Sequence, residues 1–150
     1  MDISNWMRLI AQAFPRLSGE GYEIVGESSK RYNCIAYAAN DTNEWWDIIG
    51  KRYWPDYATR TDRMESLIEV FTGMGYQRCQ DSSLESGYEK VALYEEQGEW
   101  KHASLQTPNG RWRSKMGPGP VIEHLSPESL SDGVYGNPTI YMRRSASDTY

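Results

Sequence analysis

The sequence contains no long uninterrupted apolar run, and this absence excludes a transmembrane helix, which needs about 20 consecutive apolar residues. It also lacks a block of basic residues: 16 Lys and Arg stand against 21 Asp and Glu, giving a net charge of −5. Proteins that bind duplex nucleic acid without sequence preference carry a positively charged surface. We therefore expect neither insertion into a membrane nor binding to nucleic acid.

Cysteine and histidine are scarce, with two residues of each type. Cys34 and Cys79 are too few for a disulfide framework, and together with His102 and His124 they lack the short paired spacing of structural zinc sites. We therefore expect no metal and no cofactor. Residues 1–15 lack the basic start, apolar centre and cleavage site of a signal peptide. These features predict a reduced cytoplasmic protein, or one delivered into a target cell without a cleaved signal peptide.

Aromatic residues, by contrast, are abundant: 6 Trp, 11 Tyr and 2 Phe occur in 150 residues. Large rings provide much contact area each, so we expect the core to be built from them. The chain length is close to the commonest size of one domain, and residues 1–150 are therefore predicted to form a single domain.

Apolar periodicity predicts helices in the first half of the chain and strands in the second. The predicted helices cover residues 3–14, an alanine-rich segment whose first turn holds Asn33 and Cys34, and a segment that ends at Gly73. A two-residue turn at Asn109-Gly110 would place Gln106 opposite Arg113. Helices that precede an antiparallel sheet indicate an α+β fold, with the cysteine-bearing helix packed on the sheet. The predicted strands cover residues 88–94, 99–107, 111–116 and 139–143, with 22–25 as a possible additional strand.

The pair with the clearest chemical potential is Cys34, at a predicted helix start, and His102, on a predicted strand. A helix start and a nearby imidazolium both favour the thiolate form of a cysteine. An imidazole on a rigid strand can take up a proton and return it to a leaving group. On spacing alone the alternative is structural, with Cys34 a small buried hydrophobic residue and His102 an ordinary strand residue.

An aromatic segment follows the predicted cysteine helix and contains Trp45, Trp46 and Trp54. Such rings can form the wall of a substrate cleft and stack on a planar group. The alternative is that most of them are core residues, with one or two lining a site. Arg111, Arg113 and Lys115 alternate along one predicted strand, which favours either an anion-binding face or a solvated one.

A series of motifs runs through residues 32–144: YNCIAYA at 32–38, YWP at 53–55, KVALY at 90–94, HA at 102–103, GRWRSKMG at 110–117 and IEH at 122–124. This series resembles an uncharacterised family of small bacterial domains. The order of a helix-borne cysteine followed by a strand-borne histidine is similar to papain-like cysteine hydrolases, in particular the NlpC/P60, CHAP and transglutaminase-like groups.

The resemblance implies a papain-like hydrolase or acyl transferase that acts on an amide or peptide bond of a protein or peptide substrate. Cys34 would attack the carbonyl and His102 would move the proton. The histidine-orienting residue would be His124, with Gln106 and Glu123 as alternatives, and Asn33 and Gln106 would lie in the substrate site. Related domains recur among bacterial toxins, effectors and defence proteins, so an immunity partner is a further expectation.

The competing hypothesis is a non-catalytic interaction module, an immunity or adaptor protein that keeps the fold. Two features separate the hypotheses. An enzyme requires an accessible Cys34 thiol roughly 3–4 Å from a nitrogen of His102. An interaction module predicts a buried thiol and an exposed apolar patch. The helix over residues 3–14, with Trp6 and Met7, either packs on the core or docks on a partner.

Overall fold

The computed structural model describes residues 2–146. These residues form four α-helices and a seven-stranded antiparallel sheet, so the predicted α+β class is confirmed. In chain order the elements are α1 Ile3–Ala13, α2 Leu17–Glu20, β1 Glu23–Gly26, α3 Cys34–Ala38, α4 Met64–Gly73, β2 Gln77–Cys79, β3 Tyr88–Glu96, β4 Glu99–Gln106, β5 Trp112–Lys115, β6 Val121–His124, a 3₁₀ helix at Pro127–Leu130, and β7 Asn137–Ser145.

The strands lie in the order β1-β6-β5-β4-β3-β7-β2, with every neighbouring pair antiparallel. The central strands β3 and β4 come from the second half of the chain, as their apolar alternation predicts. The edge strand β1 comes from the first half and pairs with β6 on one side only. Both edges of the sheet are therefore short strands, of four and three residues.

Helices cover both faces of the sheet. The α3 face is covered by α3 and α4, and its core includes Ile35, Leu67, Phe71, Leu93 and Ala103. The α1 face is covered by α1, α2 and the 3₁₀ helix, and its core includes Ile10, Phe14, Leu17, Tyr94 and Trp112. Because successive strand residues point to opposite faces, the position of a residue along its strand decides which of these two layers it enters.

The turn between β4 and β5 differs from the expected two-residue hairpin. Thr107 and Arg111 close a three-residue loop, in which Gly110 has a positive φ of 89° and Asn109 does not. This is the type I turn with a left-handed third residue that commonly joins two strands. The register is shifted by one residue as a consequence: Gln106 lies opposite Trp112, and Leu105 lies opposite Arg113.

Candidate functional site

Asn33 holds the start of the cysteine helix and the following loop in place. Its Oδ1 accepts hydrogen bonds from the backbone N–H of Ala36 at 3.2 Å and of Trp46 at 3.1 Å, and its Nδ2 donates to the carbonyl of Trp46 at 2.7 Å. The side chain is buried, and these three bonds use its amide as a helix cap and a loop anchor. The structure therefore gives Asn33, which the sequence places in a substrate site, a structural role.

We predict that Asn33→Ala lowers the free energy of unfolding by about 2–3 kcal/mol, because it removes a helix cap and leaves buried groups of Trp46 unpaired. Guanidinium unfolding followed by tryptophan fluorescence measures the change. The matched variant Asn33→Ser keeps a side-chain oxygen that can cap the helix and loses the bonds to Trp46, so its loss should be smaller. A loss below about 0.5 kcal/mol for Asn33→Ala, typical of surface changes, would contradict this role.

Cys34 is the first residue of α3, as the sequence predicts, but its side chain is only 7% exposed. It packs within the core of the α3 face, which also contains Ala103 of β4. Burial raises the pKa of the thiol to about 11, and this effect outweighs hydrogen bonding from the backbone of Ala103 and Ile35, which lowers the pKa. The thiol is therefore protonated at neutral pH.

His102 lies in the other layer, on the α1 face. It pairs with Tyr94 of β3, meets that ring edge-on at a centroid distance of 5.0 Å, and stacks on Tyr135 at 4.1 Å. The side chain is fully buried, and neither ring nitrogen has a hydrogen-bond partner among residues 2–146. Burial, and secondarily the proximity of His124, holds the pKa of His102 well below its usual range.

The structure does not bring Cys34 and His102 together. Ala103 belongs to the α3-face core with Cys34. His102 pairs with Tyr94 of the α1-face core, so the imidazole points to the opposite face. No hydrogen bond joins the thiol to either imidazole nitrogen within the described part of the chain. The predicted nucleophile and base are thus separated by the sheet itself.

His124, the first candidate for the histidine-orienting group, is fully buried and its two nitrogens are both engaged. Its Nδ1 donates to the carbonyl of Ser126 at 2.8 Å, so Nε2 accepts from the hydroxyl of Ser114, also at 2.8 Å. Burial is the main cause that lowers the pKa of His124 to about 4. His124 is therefore neutral and orients Ser114 and Ser126 rather than His102.

The two alternative orienting residues are also occupied elsewhere. Gln106 shares the α1 face with His102, as expected, but its amide donates to the carbonyl of Ser82 at 3.0 Å. Glu123 lies on the opposite, α3 face and accepts from Arg111 and Arg113 at 3.1 and 3.0 Å. The structure places neither of these residues against His102 as a third catalytic group.

Two of the three tryptophans predicted for a substrate cleft belong to the core. Trp46 is buried and donates from Nε1 to Asp41 at 2.7 Å. Trp54 is also buried and stacks on Trp100 at 5.4 Å. Trp45 is half-buried with the guanidinium of Arg52 5.5 Å above its ring. Trp45 lines a surface pocket together with Asp47 and residues 49–52.

Lys115 is buried, whereas its alternation with Arg111 and Arg113 predicts a position on an anion-binding or solvated face. It lies on the α3 face, where its Nζ donates to the carbonyls of Ser29 and Gly117 and sits 4.8 Å from the centroid of the Tyr32 ring. Burial lowers its pKa to about 8. Lys115 therefore ties two loops to the sheet, and only the tertiary placement of those loops reveals this role.

Exposed apolar residues of α1 and β1 lie beside a groove between these two elements. Ile3 is 54% exposed, Met7 47% and Val25 38%. A groove of about 470 Å³ runs between the two elements, lined by Ile3 and Trp6 of α1, by residues 24–28 and by Pro120. The apolar spacing of α1 predicts an amphipathic helix. No pattern in the sequence indicates that the exposed residues of α1 lie beside β1.

Within residues 2–146 no group of three or more His, Cys, Asp or Glu is arranged to hold a metal ion, and Cys34 and Cys79 are both free thiols. No helix in the same range is long and apolar enough to span a bilayer.

Residues 23–143 match a family model described as a domain of unknown function (DUF7689), and the chain belongs to that family. The match covers the motif series at 32–144 almost completely, and α1 and α2 precede it. Comparison with curated proteins and with solved structures gives no match. The resemblance to papain-like hydrolases therefore stays a prediction.

Proposed function

We propose that this member of the DUF7689 family is a non-catalytic interaction module that binds a partner protein, as an adaptor or immunity protein does. In this proposal the chain keeps a papain-like arrangement, a cysteine-bearing helix on an antiparallel sheet, without a working Cys–His pair. The observation that carries the proposal is that Cys34 and His102 are both buried, on opposite faces of the sheet.

The electrostatics of the two residues support the same conclusion. A catalytic cysteine has a lowered pKa and an accessible sulfur, and its histidine partner is stabilised as an imidazolium. Here burial raises the pKa of the Cys34 thiol and lowers the pKa of the His102 imidazole. Both groups are therefore held in their neutral forms, which suits core packing and opposes nucleophilic attack.

The exposed apolar surface supports a binding role. Contiguous exposed apolar residues mark interaction sites on proteins that are otherwise covered by polar groups. We name the surface formed by Ile3, Met7, Val25 and the adjoining groove the α1–β1 surface. The proposal places the protein in the cytoplasm, or in the cytoplasm of a target cell, where Cys34 and Cys79 stay reduced.

Site-specific photo-cross-linking tests the proposal. A photo-reactive residue is introduced at Met7, on the α1–β1 surface, and at Ile49, which is 71% exposed and lies within the aromatic segment, as the control. In cells of the source organism we expect one protein adduct of defined mass at position 7 and none at position 49. Equal adducts at both positions, or none at either, would overturn the proposal.

The cross-linked partner is then identified and purified, and its binding is measured by calorimetry. Met7→Asp should weaken binding at least about 10-fold, because a charge is then buried against an apolar contact. Cys34→Ser should leave the affinity and the integrity of the partner unchanged. Cleavage of the partner that depends on Cys34 would instead establish the hydrolase hypothesis.

A further inference from the structure

We infer that the α1–β1 surface binds an extended segment of its partner, with alternating apolar and basic residues, which adds as a new strand to the free edge of β1. The inference rests on the proposed function and names the ligand of the same surface. It depends on three observations: an unpaired strand edge, an apolar groove beside that edge, and carboxylates with no cationic partner.

The strand edge is open. β1 is the first strand of the sheet and pairs only with β6. Beyond that ladder, no backbone–backbone hydrogen bond within the described residues reaches residues 23–28. Outward-pointing N–H and C=O groups of an extended edge are the recognition element of proteins that bind a peptide by strand addition.

The groove lies on the α1-face side of this edge. Ile24 pairs with Ile122 and points to the α1 face, where Ile3, Trp6 and Pro120 add apolar lining. The polar part of the lining comes from Glu27 and Ser28. Side chains of an added strand alternate between the two faces. Every second residue of the incoming segment would therefore enter the groove, and an apolar side chain matches its lining.

One carboxylate, that of Glu23, lies on the other side of the edge, and Glu27 lines the groove itself. Glu23 pairs with Glu123, which places it on the α3 face of β1, and it is exposed. No ion pair joins Glu23 or the nearby Glu27 to a cation in residues 2–146. A residue directly opposite Glu23 in an added strand shares its face, so Lys or Arg there is favoured.

The same carboxylates disfavour a second copy of this chain as the occupant. An antiparallel β1–β1 pair would bring the Glu23 and Glu27 carboxylates of two copies to one short edge. Like charges would then repel across a short interface. The β-bulge between Ile24 and Gly26 also limits regular pairing to a few residues, which suits a short linear segment of another protein.

Synthetic eight-residue peptides test the inference. The probe alternates Val and Lys, and its matched controls have the same composition with the Val residues grouped, or the same sequence with N-methylated backbone amides. Binding is followed by amide chemical shifts and by hydrogen exchange of residues 23–28. We expect the alternating peptide to bind, to slow exchange at these amides at least 10-fold, and to lose at least 10-fold in affinity in Glu23→Lys.

The outcomes separate the two proposals. Equal binding of all three peptides, or no binding of the alternating one, overturns strand addition, whereas the position 7 adduct independently decides whether the surface binds a partner. Light scattering that detects a dimer dissociated by Val25→Lys would identify a second copy as the occupant and would also overturn the inference. Protection of β1 amides by the alternating peptide alone supports it.

Discussion

Cys34 is expected to react with iodoacetamide at pH 7.5 at least about 100-fold more slowly in the folded protein than in the urea-unfolded chain. The thiolate is the reactive form, and a free thiol has a pKa of about 8.5. Burial raises the pKa of folded Cys34 to about 11. At pH 7.5 this difference alone reduces the thiolate fraction by about 300-fold, and restricted access to the buried sulfur adds to the protection.

Measuring the rate in Cys79→Ser isolates Cys34, and Cys34→Ser provides the matched reference for the partly exposed Cys79. His102→Ala is the decisive comparison. If the two residues are structural and lie on opposite faces, this variant should lower stability without slowing the labelling. Fast labelling of Cys34 well below pH 8.5, lost in His102→Ala, would reveal an ion-paired thiolate and would restore the cysteine-hydrolase hypothesis.

Acid should destabilise the protein well before its carboxylates titrate. The usual pKa of histidine is about 6.5, and burial lowers that of His124 to about 4. His124 therefore binds a proton at a higher pH in the unfolded chain than in the folded chain. Its contribution to the free energy of unfolding is fully present above about pH 6.5 and is lost as the pH falls toward 4. Between pH 7.5 and 5 His124 alone should cost about 2 kcal/mol, and His102 adds in the same direction.

Urea unfolding at half-unit pH steps measures this loss. Three charged residues near His124 also affect its pKa. Arg111 lowers this pKa, whereas Glu20 and Glu123 raise it. His124→Gln keeps a donor and an acceptor at this position without a titrating ring, and should flatten the pH dependence between 7.5 and 5. Stability of the unmodified protein that is constant over this range would contradict the neutral, buried state of the two histidines.

His102→Leu complements this experiment because it removes two unpaired buried nitrogens. Replacing an unsatisfied polar group by an apolar one of similar size is neutral or stabilising. We therefore expect no loss of stability at pH 7.5 and a weaker dependence on acid. The pair His102→Leu and His124→Gln separates the contribution of an unpartnered imidazole from that of a hydrogen-bonded one.

Local signals in the sequence were sufficient for most elements of the fold, but not for α2, β2 and β6. The apolar spacing of residues 3–14 corresponds to α1. The predicted cysteine helix is α3, in which Asn33 is the N-cap and Cys34 the first helical residue. The alternation in residues 88–107 corresponds to the paired strands β3 and β4. The helix ending at Gly73 is also present, as α4, which begins at Met64. These features depend on contacts within a few residues.

The geometry of the candidate site depends on which face of the sheet each side chain occupies, and the sequence does not contain this information. Cys34 at a helix start and His102 on a strand were both located correctly, yet alternation along a strand says only that His102 and Ala103 face opposite ways. Which of them faces α3 is set by how the helix packs across the sheet. Packing places Ala103 against the cysteine, and the catalytic interpretation of the pair has no geometric support.

Charge, composition and local periodicity were therefore determined by the sequence alone: an acidic, aromatic-rich α+β chain with its cysteine at a helix start. Tertiary structure alone decided the strand register, the layer that each polar side chain entered, and the joining of α1 to the edge strand β1. A one-residue change of register moves every side chain to the other face. The burial of Lys115 and the separation of Cys34 from His102 both follow from that long-range choice of face, which no local pattern encodes.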